Sequence, residues 1–221
     1  MYESGAVSIA LIRPAWQGDQ YHSEQMKPRR LRSQLSKRDI GKREKLVEAA
    51  VNLAYRQGYT RTTIADIARE SGVPLGNVYY YFKTRDDIAT AILDHRKGQF
   101  ESLKTELAGL PSPKARLVAF VNATVGNAGE IALKGCPTGS LSAELLKAGD
   151  KAAVEAFPLL AAPMAWMAEQ FAEMGHGEDA EALALQLQSS LQGASLLAQN
   201  ARNPELLARE GARLKMWING L

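Results

Sequence analysis

The feature that most constrains the fold is a pair of short helices separated by a tight turn at residues 70–73. Gly72 ends the first helix after barely two turns, because glycine readily adopts the left-handed conformation that closes a helix. Pro74 suits the first turn of the second helix, which we expect to end at Tyr81. Two short helices joined in this way are typical of a helix-turn-helix, which places its second helix in the major groove of DNA.

Helical periodicity continues on both sides of this pair, and no strand-like alternation competes with it. Gly58 ends the helix before the pair, and Thr62 or Thr63 can cap the first short helix. The glycine-rich segment 127–137 is expected to be a loop. Further helices are expected from Thr84 to about residue 107, and at 113–126, 138–147, 150–174, 179–200 and 204–219. In the helix at 150–174, Asp150 is the expected cap and kinks are expected at Pro158 or Pro163. The predicted fold class is therefore all-α, with about nine helices.

The net charge of +3 over 221 residues conceals a strongly basic segment. Residues 26–97 contain 16 basic and 8 acidic residues, whereas residues 98–221 contain 10 basic and 13 acidic. A basic block beside a mildly acidic body indicates a polyanionic partner at one end, with a merely solvated tail as the alternative. Residues 1–36 lack a sustained period and are expected to form a disordered basic arm, and Met26 stays open as an alternative translation start.

Several classes of protein are excluded by composition. The single cysteine, Cys136, cannot close an internal disulfide or form a multi-cysteine zinc site, and we expect neither a metal nor a cofactor. No apolar run of about 18 residues is present, so we expect no membrane association and take the cytoplasm as the default compartment. An enzyme would need Cys136 with a histidine partner. No motif ties His22, His95 or His176 to Cys136, so no catalytic residue is expected.

The second short helix and the residues after it combine groups that suit contact with DNA. Gly76 lets the backbone approach the duplex, Asn77 can hydrogen-bond a base or a phosphate, and an exposed tyrosine hydroxyl can donate to a phosphate. Three consecutive tyrosines point about 100° apart on a helix, so they cannot all be buried. The alternative is a packed, tyrosine-rich surface. The candidate DNA-binding residues in this stretch are Leu75, Gly76, Asn77, Tyr79, Tyr80, Tyr81, Lys83 and Arg85.

Residues 41–94 resemble the N-terminal domain of the TetR family of bacterial transcription regulators. The segments that carry the resemblance are Gly58-Tyr59, Thr62–Ala68, Ser71–Val73, Gly76–Phe82 and Lys83–Ile88. The resemblance implies a homodimeric, ligand-responsive DNA-binding regulator, most often a repressor, acting at a palindromic double-stranded operator. It also implies three parts: the arm at 1–36, a helix-turn-helix domain at 37–84 with its motif at about 63–82, and a ligand-binding and dimerisation domain at 85–221.

The resemblance assigns roles to individual residues. Phosphate contacts fall to Thr63 and Arg85, base contacts to Leu75, Gly76 and Tyr79, and base or phosphate contacts to Asn77, Tyr80 and Tyr81. Position 75 is often polar or basic in the family, whereas Leu75 offers only apolar contact, as to a thymine methyl. Val78 and Phe82 are expected to pack inward. A segment before the first helix can reach the minor groove, and the candidates for that contact are Arg29, Arg30 and Arg32.

The C-terminal part is expected to supply a dimer interface and an effector site. Apolar and small residues on the last two helices favour them as the interface, with the monomer core as the alternative; the candidates are Leu187, Ser190, Ala194, Leu197, Leu214 and Trp217. Aromatic and methionine side chains suit an adaptable apolar pocket, with plain core as the alternative; the candidates are Phe157, Met164, Trp166, Met167 and Phe171.

Cys136 is a further candidate for the effector site. It precedes a predicted helix, whose N-terminus favours a reactive thiolate. The stretch from Gly135 to Gly139 resembles a Gly-Cys-x-x-Gly segment in a TetR subset, some of whose members sense electrophiles or oxidants. An inert, half-buried residue is the alternative.

The expected mechanism is conformational selection. An unknown small apolar or reactive effector favours a state in which the helix from Thr84 to about Leu107 has swung, so that the two DNA-reading helices move apart. A non-DNA-binding adaptor with the same fold is the remaining alternative.

Overall fold

The structure, a computed structural model, describes residues 37–149 and 151–221. Within these ranges the chain is helical and contains no strand, which confirms the all-α fold class. The helices are α1 (Lys37–Gln57), α2 (Ile64–Ser71), α3 (Leu75–Tyr81), α4 (Arg85–Ala108), α5 (Pro113–Gly126), α6 (Ala128–Lys134), α7 (Pro137–Ala148), a short 3₁₀ helix (Lys151–Glu155), α8 (Pro158–Glu173), α9 (Ala180–Ala201) and α10 (Glu205–Gly220). The predicted arm, with Arg29, Arg30 and Arg32, lies outside the described residues.

Two glycines and a proline set the ends of the first three helices. Gly58 has a φ of 92° and Gly72 a φ of 67°, so both adopt the left-handed conformation as they end α1 and α2. Pro74 precedes the first residue of α3 as its N-cap, one position earlier than expected. The helix-turn-helix outlined from the sequence is therefore present with short, well-defined helices.

Hydroxyl caps set the starts of α2 and α4. Thr63, rather than Thr62, caps α2: the backbone N–H of Asp66 donates to Thr63 Oγ1 over 3.1 Å, and the backbone N–H of Thr63 donates to Asp66 Oδ2 over 3.1 Å. Thr84 and Asp87 form the same reciprocal arrangement at the start of α4. Each pair lies within three residues along the chain, which is why the sequence reveals it.

One predicted loop is wrong. The segment 127–137 contains the helix α6, whose Ala128, Ile131 and Ala132 are buried in the core. These three apolar residues recur at helical spacing, and their burial outweighs the glycines around them. The helix ends at Gly135, which has a φ of 86°.

The single kinked helix expected over 150–174 is also wrong. The 3₁₀ helix and a separate α8 replace it, and Pro158 starts α8 instead of bending it. Proline is well tolerated there because the first turn of a helix has no intrahelical partner for its N–H. Pro163 does lie inside α8. The proposed cap, Asp150, lies outside the described residues.

The core consists of two clusters of buried side chains. The first joins α1, α2, α3 and the first half of α4 to α7 and the start of α8. The second joins α5, α6, α8, α9 and α10, together with Leu107 near the end of α4. Helix α4 therefore belongs to both clusters, within the one compact unit that runs from Gly41 to Leu221. None of the helices in the described residues is long and apolar enough to cross a membrane.

Candidate nucleic-acid interface

Helix α3 is anchored by the side that faces α1 and α2. Val78 is fully buried and Phe82 is 2% exposed, as expected for residues that pack inward. They share a core cluster with Leu46 of α1 and Ile67 of α2. Because α3 has only seven residues, these core contacts rather than its own hydrogen bonds fix its orientation.

The other side of α3 is exposed. The exposed fraction is 44% for Leu75, 52% for Tyr79 and 67% for Tyr80, and Gly76 and Asn77 are exposed as well. These five residues are called the reading face below. Large apolar and phenolic side chains concentrated on one exposed helix mark an interaction surface, because each exposes apolar area to water.

Tyr81 and Lys83 flank the reading face. Tyr81 is half-buried, packs on the first core cluster and meets the ring of Tyr80 edge to face, with centroids 5.1 Å apart. The ring of Tyr81 therefore lies between the first core cluster and the exposed ring of Tyr80 and holds Tyr80 in place. Lys83 is exposed, and its backbone N–H donates to Asp87 Oδ2 over 3.0 Å, which fixes the chain while leaving the ammonium group at the surface.

Thr63 is exposed, but its proton donors are already in use. Its hydroxyl donates to Asp66 Oδ2 over 2.6 Å, and its backbone N–H donates to the same oxygen. These two hydrogen bonds lower the pKa of Asp66 below its usual value, so the carboxylate that completes the capping box of α2 stays ionised. A phosphate oxygen can only accept hydrogen bonds, so a contact from Thr63 requires one of these bonds to be exchanged.

Arg85 is held at the start of α4. Its Nη2 donates to the carbonyl oxygen of Tyr59 over 2.8 Å, and its guanidinium lies 4.6 Å from the centroid of the Tyr59 ring. Because a guanidinium has five N–H donors, the others stay available to a phosphate. Arg85 is thus a pre-positioned cation next to the reading face.

Arg43 of α1, which belongs to the basic segment 26–97, lies near the end of α3. Its guanidinium lies 5.7 Å from the centroid of the Phe82 ring, just after the last residue of α3. Arg43 is itself exposed. Its distance of about forty residues from Phe82 along the chain left no local signal for this proximity.

The predicted effector residues on α8 and just before it differ in burial. Trp166, Met167 and Phe171 are buried in the second core cluster, where Trp166 packs against Phe120 and Phe100. The remaining two predicted residues differ from them: Met164 is half-buried and Phe157 is 52% exposed. The apolar residues of α8 serve the core where another helix covers them. Three of the five predicted residues therefore pack in the core, and an effector contact by any of the five stays a prediction.

The predicted dimer residues also divide by burial. Leu187 and Leu214 are fully buried within the protomer and Ala194 is 7% exposed, so these three are core residues. Ser190 and Trp217 are half-buried, whereas Leu197 is 62% exposed. The exposed apolar residues on the same two helices are Leu185, Leu196, Leu197 and Met216.

Cys136 is the N-cap residue of α7. Its Sγ accepts hydrogen bonds from the backbone N–H of Gly139 and from Nε2 of Gln192, both over 3.4 Å. The side chain is half-buried. In the part of the chain that the structure describes, no group of three or more histidine, cysteine, aspartate or glutamate side chains is arranged to hold a metal ion.

The fold and the reading face together define a helix-turn-helix protein with an all-helical C-terminal part. Residues 46–92 match the family model described as bacterial regulatory proteins, tetR family. The N-terminal part of the chain therefore contains a TetR-family DNA-binding domain. This match confirms the resemblance inferred from the motif, and the relatives and solved structures that match are named as transcription regulators.

Relatives and solved structures agree with this family. The chain is 28% identical over 78 residues to the fatty acid metabolism regulator protein of Bacillus subtilis, a match covering 35% of this chain and 40% of the relative. It is 26% identical over 106 residues to the transcriptional repressor NemR of Escherichia coli, covering 47% of this chain and 53% of NemR. The matches thus span about half or less of these relatives.

The crystal structure of a regulatory protein TetR from Rhodobacter sphaeroides matches over 78% of this chain and 96% of that chain. The TM-score is 0.68 and the sequence identity 25%. The reduced form of E. coli NemR matches with a TM-score of 0.66 at 24% identity, over 79% of this chain and 95% of that chain, and shows the shared fold.

Proposed function

We propose that the chain is a transcriptional repressor that binds a palindromic DNA operator as a homodimer and releases it when a small effector binds. The observation that carries this proposal is the reading face, whose apolar and phenolic side chains are exposed on a helix that the core holds rigidly. A helix-turn-helix inserts such a helix into the major groove. The nearby cations Lys83, Arg85 and Arg43 supply the charge that phosphate contacts need.

Two copies are needed because one short helix contacts only a few base pairs. A two-fold symmetric dimer presents two reading helices to the half-sites of a palindrome. We place the interface on the exposed apolar side of α9 and α10, which includes Leu196, Leu197 and Met216. In sedimentation experiments, Leu197→Glu should shift the protein to monomer, whereas Leu146→Glu, a matched change on α7, should leave the dimer intact.

Effector release is proposed to act through α4. The first half of α4 packs with the helix-turn-helix, and its last turn packs with the C-terminal core. A rotation of α4 would therefore change the separation of the two reading helices. The effector shifts the population only by as much as it prefers one state over the other.

A gel-shift and fluorescence-anisotropy titration with the DNA upstream of the protein's own gene tests the function. We expect a specific, salt-sensitive complex with the wild-type protein. Tyr79→Ala and Tyr80→Ala should weaken it by about tenfold or more, since each contact to a base or phosphate contributes about 1–3 kcal/mol. Leu146→Ala, an exposed apolar residue of α7 outside the reading face, is the matched control. Equal affinity for operator and scrambled DNA would instead support the adaptor.

The second candidate function is a thiol-based sensor for electrophiles or oxidants. The observation that favours it is the position of Cys136 Sγ at the N-terminus of α7, where it accepts two hydrogen bonds. The repressor NemR, a relative whose reduced form has been solved, fits this second candidate.

Cys136→Ser tests this sensor. If the thiol is the sensor, methylglyoxal and hydrogen peroxide should release operator DNA from the wild-type protein but not from the variant. Release of DNA from both proteins to the same extent would exclude it.

A further inference from the structure

A cavity of about 370 Å³ lies between α1, α4, α6, α7 and α9, away from the residues predicted for the effector. Its volume is within the range of small-molecule sites. The end of α1 and the loop that leads to α2 form one wall, so the cavity lies beside the helix-turn-helix. It is called the cationic cavity below.

Positive charge dominates its lining. Five cations line it together with a single carboxylate, Glu144; the cations are Arg56, Arg61, Arg96, Lys134 and Arg202. Two of the five have acidic partners nearby, since Arg56 pairs with Glu70 over 3.1 Å and Lys134 pairs with Glu130. Even with those two partners counted, cations outnumber carboxylates by five to three.

Arg96 and Lys134 converge on one aromatic ring. The guanidinium of Arg96 lies 5.7 Å from the centroid of Tyr55, and the ammonium of Lys134 lies 5.3 Å from it. Burial lowers the pKa of Arg96 from its usual value, which shows that its charge is poorly solvated. Its Nε is buried and has no hydrogen-bond partner among the described residues. A buried donor without a partner is unfavourable, so the guanidinium of Arg96 is incompletely satisfied among the described residues.

The cavity also has an apolar part. Val51, Ile92, Leu133 and Leu141 line it beside the charged groups. Inorganic phosphate would leave these side chains uncovered, whereas an organic acid would cover them with its body and place its charge among the cations.

We propose that the cationic cavity binds a small amphipathic carboxylate, and that this molecule is the effector that releases DNA. The proposal rests on the repressor function above and names the chemical class of its ligand. Glu144, which lines the same cavity, accepts two hydrogen bonds from Thr60 in the loop before α2. A bound carboxylate adds a second negative charge beside Glu144 and competes for the same donors. The loop is then released and the helix-turn-helix can move.

The test uses the full chain with four probes. Octanoate and 3-phenylpropionate are titrated by calorimetry at constant ionic strength, and octanamide and inorganic phosphate serve as the uncharged and the non-apolar comparison. We expect at least one carboxylate to bind saturably. Both comparison molecules should bind at least about tenfold more weakly, because the amide lacks the charge that the cations bind and phosphate lacks the apolar body. The binding carboxylate should also release operator DNA.

Three variants locate the binding. Arg96→Gln and Lys134→Gln should each weaken it by about tenfold, and Arg96→Lys should retain part of it. Lys147→Gln removes an exposed cation of α7 outside the cavity and should bind as the wild type does. The side chain of Lys134 is only half-buried, so Lys134→Gln is expected to fold. It therefore tests the site even if Arg96→Gln unfolds.

The outcomes separate the two proposals. If operator DNA binds but neither carboxylate does, or if the amide binds equally well, or if the cavity variants bind as tightly as Lys147→Gln, the carboxylate site is wrong and the repressor function stands. Carboxylate binding that leaves the operator complex intact also overturns the effector assignment. If no operator complex forms at all, the repressor function fails whatever calorimetry shows.

Discussion

Glu144 of α7 and Thr60, between α1 and α2, are joined by two hydrogen bonds to one oxygen. Oε2 of Glu144 accepts from the backbone N–H and from the hydroxyl of Thr60, each over 2.9 Å. Thr60 lies three residues before the cap of α2, so this carboxylate adds a polar link to the apolar packing that joins the helix-turn-helix to α7. A polar link through one side chain responds to a small change of charge, which suits a switch.

Removing that carboxylate should destabilise the fold modestly. Glu144→Ala is expected to lower the free energy of unfolding by about 1–2 kcal/mol, because two hydrogen bonds to a charged but partly solvated group are lost. Urea unfolding of Glu144→Ala, Thr60→Ala and the double variant measures the coupling. Strictly additive effects would show that the two residues do not interact. Glu178→Ala, in the loop between α8 and α9, is the control.

Gly58 should tolerate no side chain. Its φ is 92°, and a Cβ atom there would lie 3.1 Å from Glu144 Oε2. Gly58→Ala is therefore expected to lower the free energy of unfolding by about 1–3 kcal/mol. The matched change Gly98→Ala, inside α4 with no atom within 4 Å of the added Cβ, should be neutral or stabilising by up to about 1 kcal/mol. Equal effects in thermal or urea unfolding would contradict this account.

Lys83 should contribute to DNA affinity through charge alone. Because its ammonium is exposed beside the reading face, Lys83→Ala should reduce the slope of log affinity against log salt concentration by about 0.9. Anisotropy titrations between low and moderate salt measure the slope. Lys147→Ala replaces an exposed lysine on α7 and should leave the slope unchanged. If the wild type, Lys83→Ala and Lys147→Ala all have the same slope, Lys83 does not contact a phosphate.

The N-terminal arm should strengthen operator binding. Deleting residues 1–35 removes Arg29, Arg30 and Arg32 and is expected to weaken binding and to lower the salt slope by several units, at about 0.9 for each phosphate neutralised. The comparison is a chain in which only these three arginines are replaced by glutamine. An unchanged slope for the deleted chain would show that the arm is a solvated tail.

His95 on α4 should make stability depend on pH. Burial lowers the pKa of His95, neighbouring Arg96 lowers it further, and Glu48 opposes them. The unfolded chain takes up this proton near pH 6.5, whereas the folded chain takes it up only at lower pH. The stability is therefore complete above about pH 6.5 and falls as the pH drops below it. Urea unfolding at about pH 7.5 and 5.5 should show a smaller loss for His95→Gln than for the wild type; equal losses would contradict the assignment.

Local chemistry explains what could be predicted. The end of α2 at Gly72 and the start of α4 at Thr84 depend on residues within a few positions, so the sequence reveals them. The expected loop at 127–137 failed because burial of Ile131 and its neighbours, which depends on distant helices, overrode the glycines. Leu75, Tyr79 and Tyr80 are exposed on α3, and their contacts with DNA stay a prediction. No local pattern in the sequence indicates that the donors of Thr63 are occupied.

The sequence by itself determined the all-α class, the short helix pair and the TetR-type DNA-binding domain, because periodicity, caps and motif spacing are encoded along the chain. Only the tertiary structure decided which apolar residues face a neighbour. Leu187 and Leu214 are buried in the core whereas Leu197 is exposed, although all three are leucines on the last two helices. The cationic cavity likewise combines side chains from five helices, because helix packing brings Tyr55, Arg96 and Lys134 together from well-separated positions. Burial is a property of pairs of surfaces, and a single stretch of sequence contains only one surface of each pair.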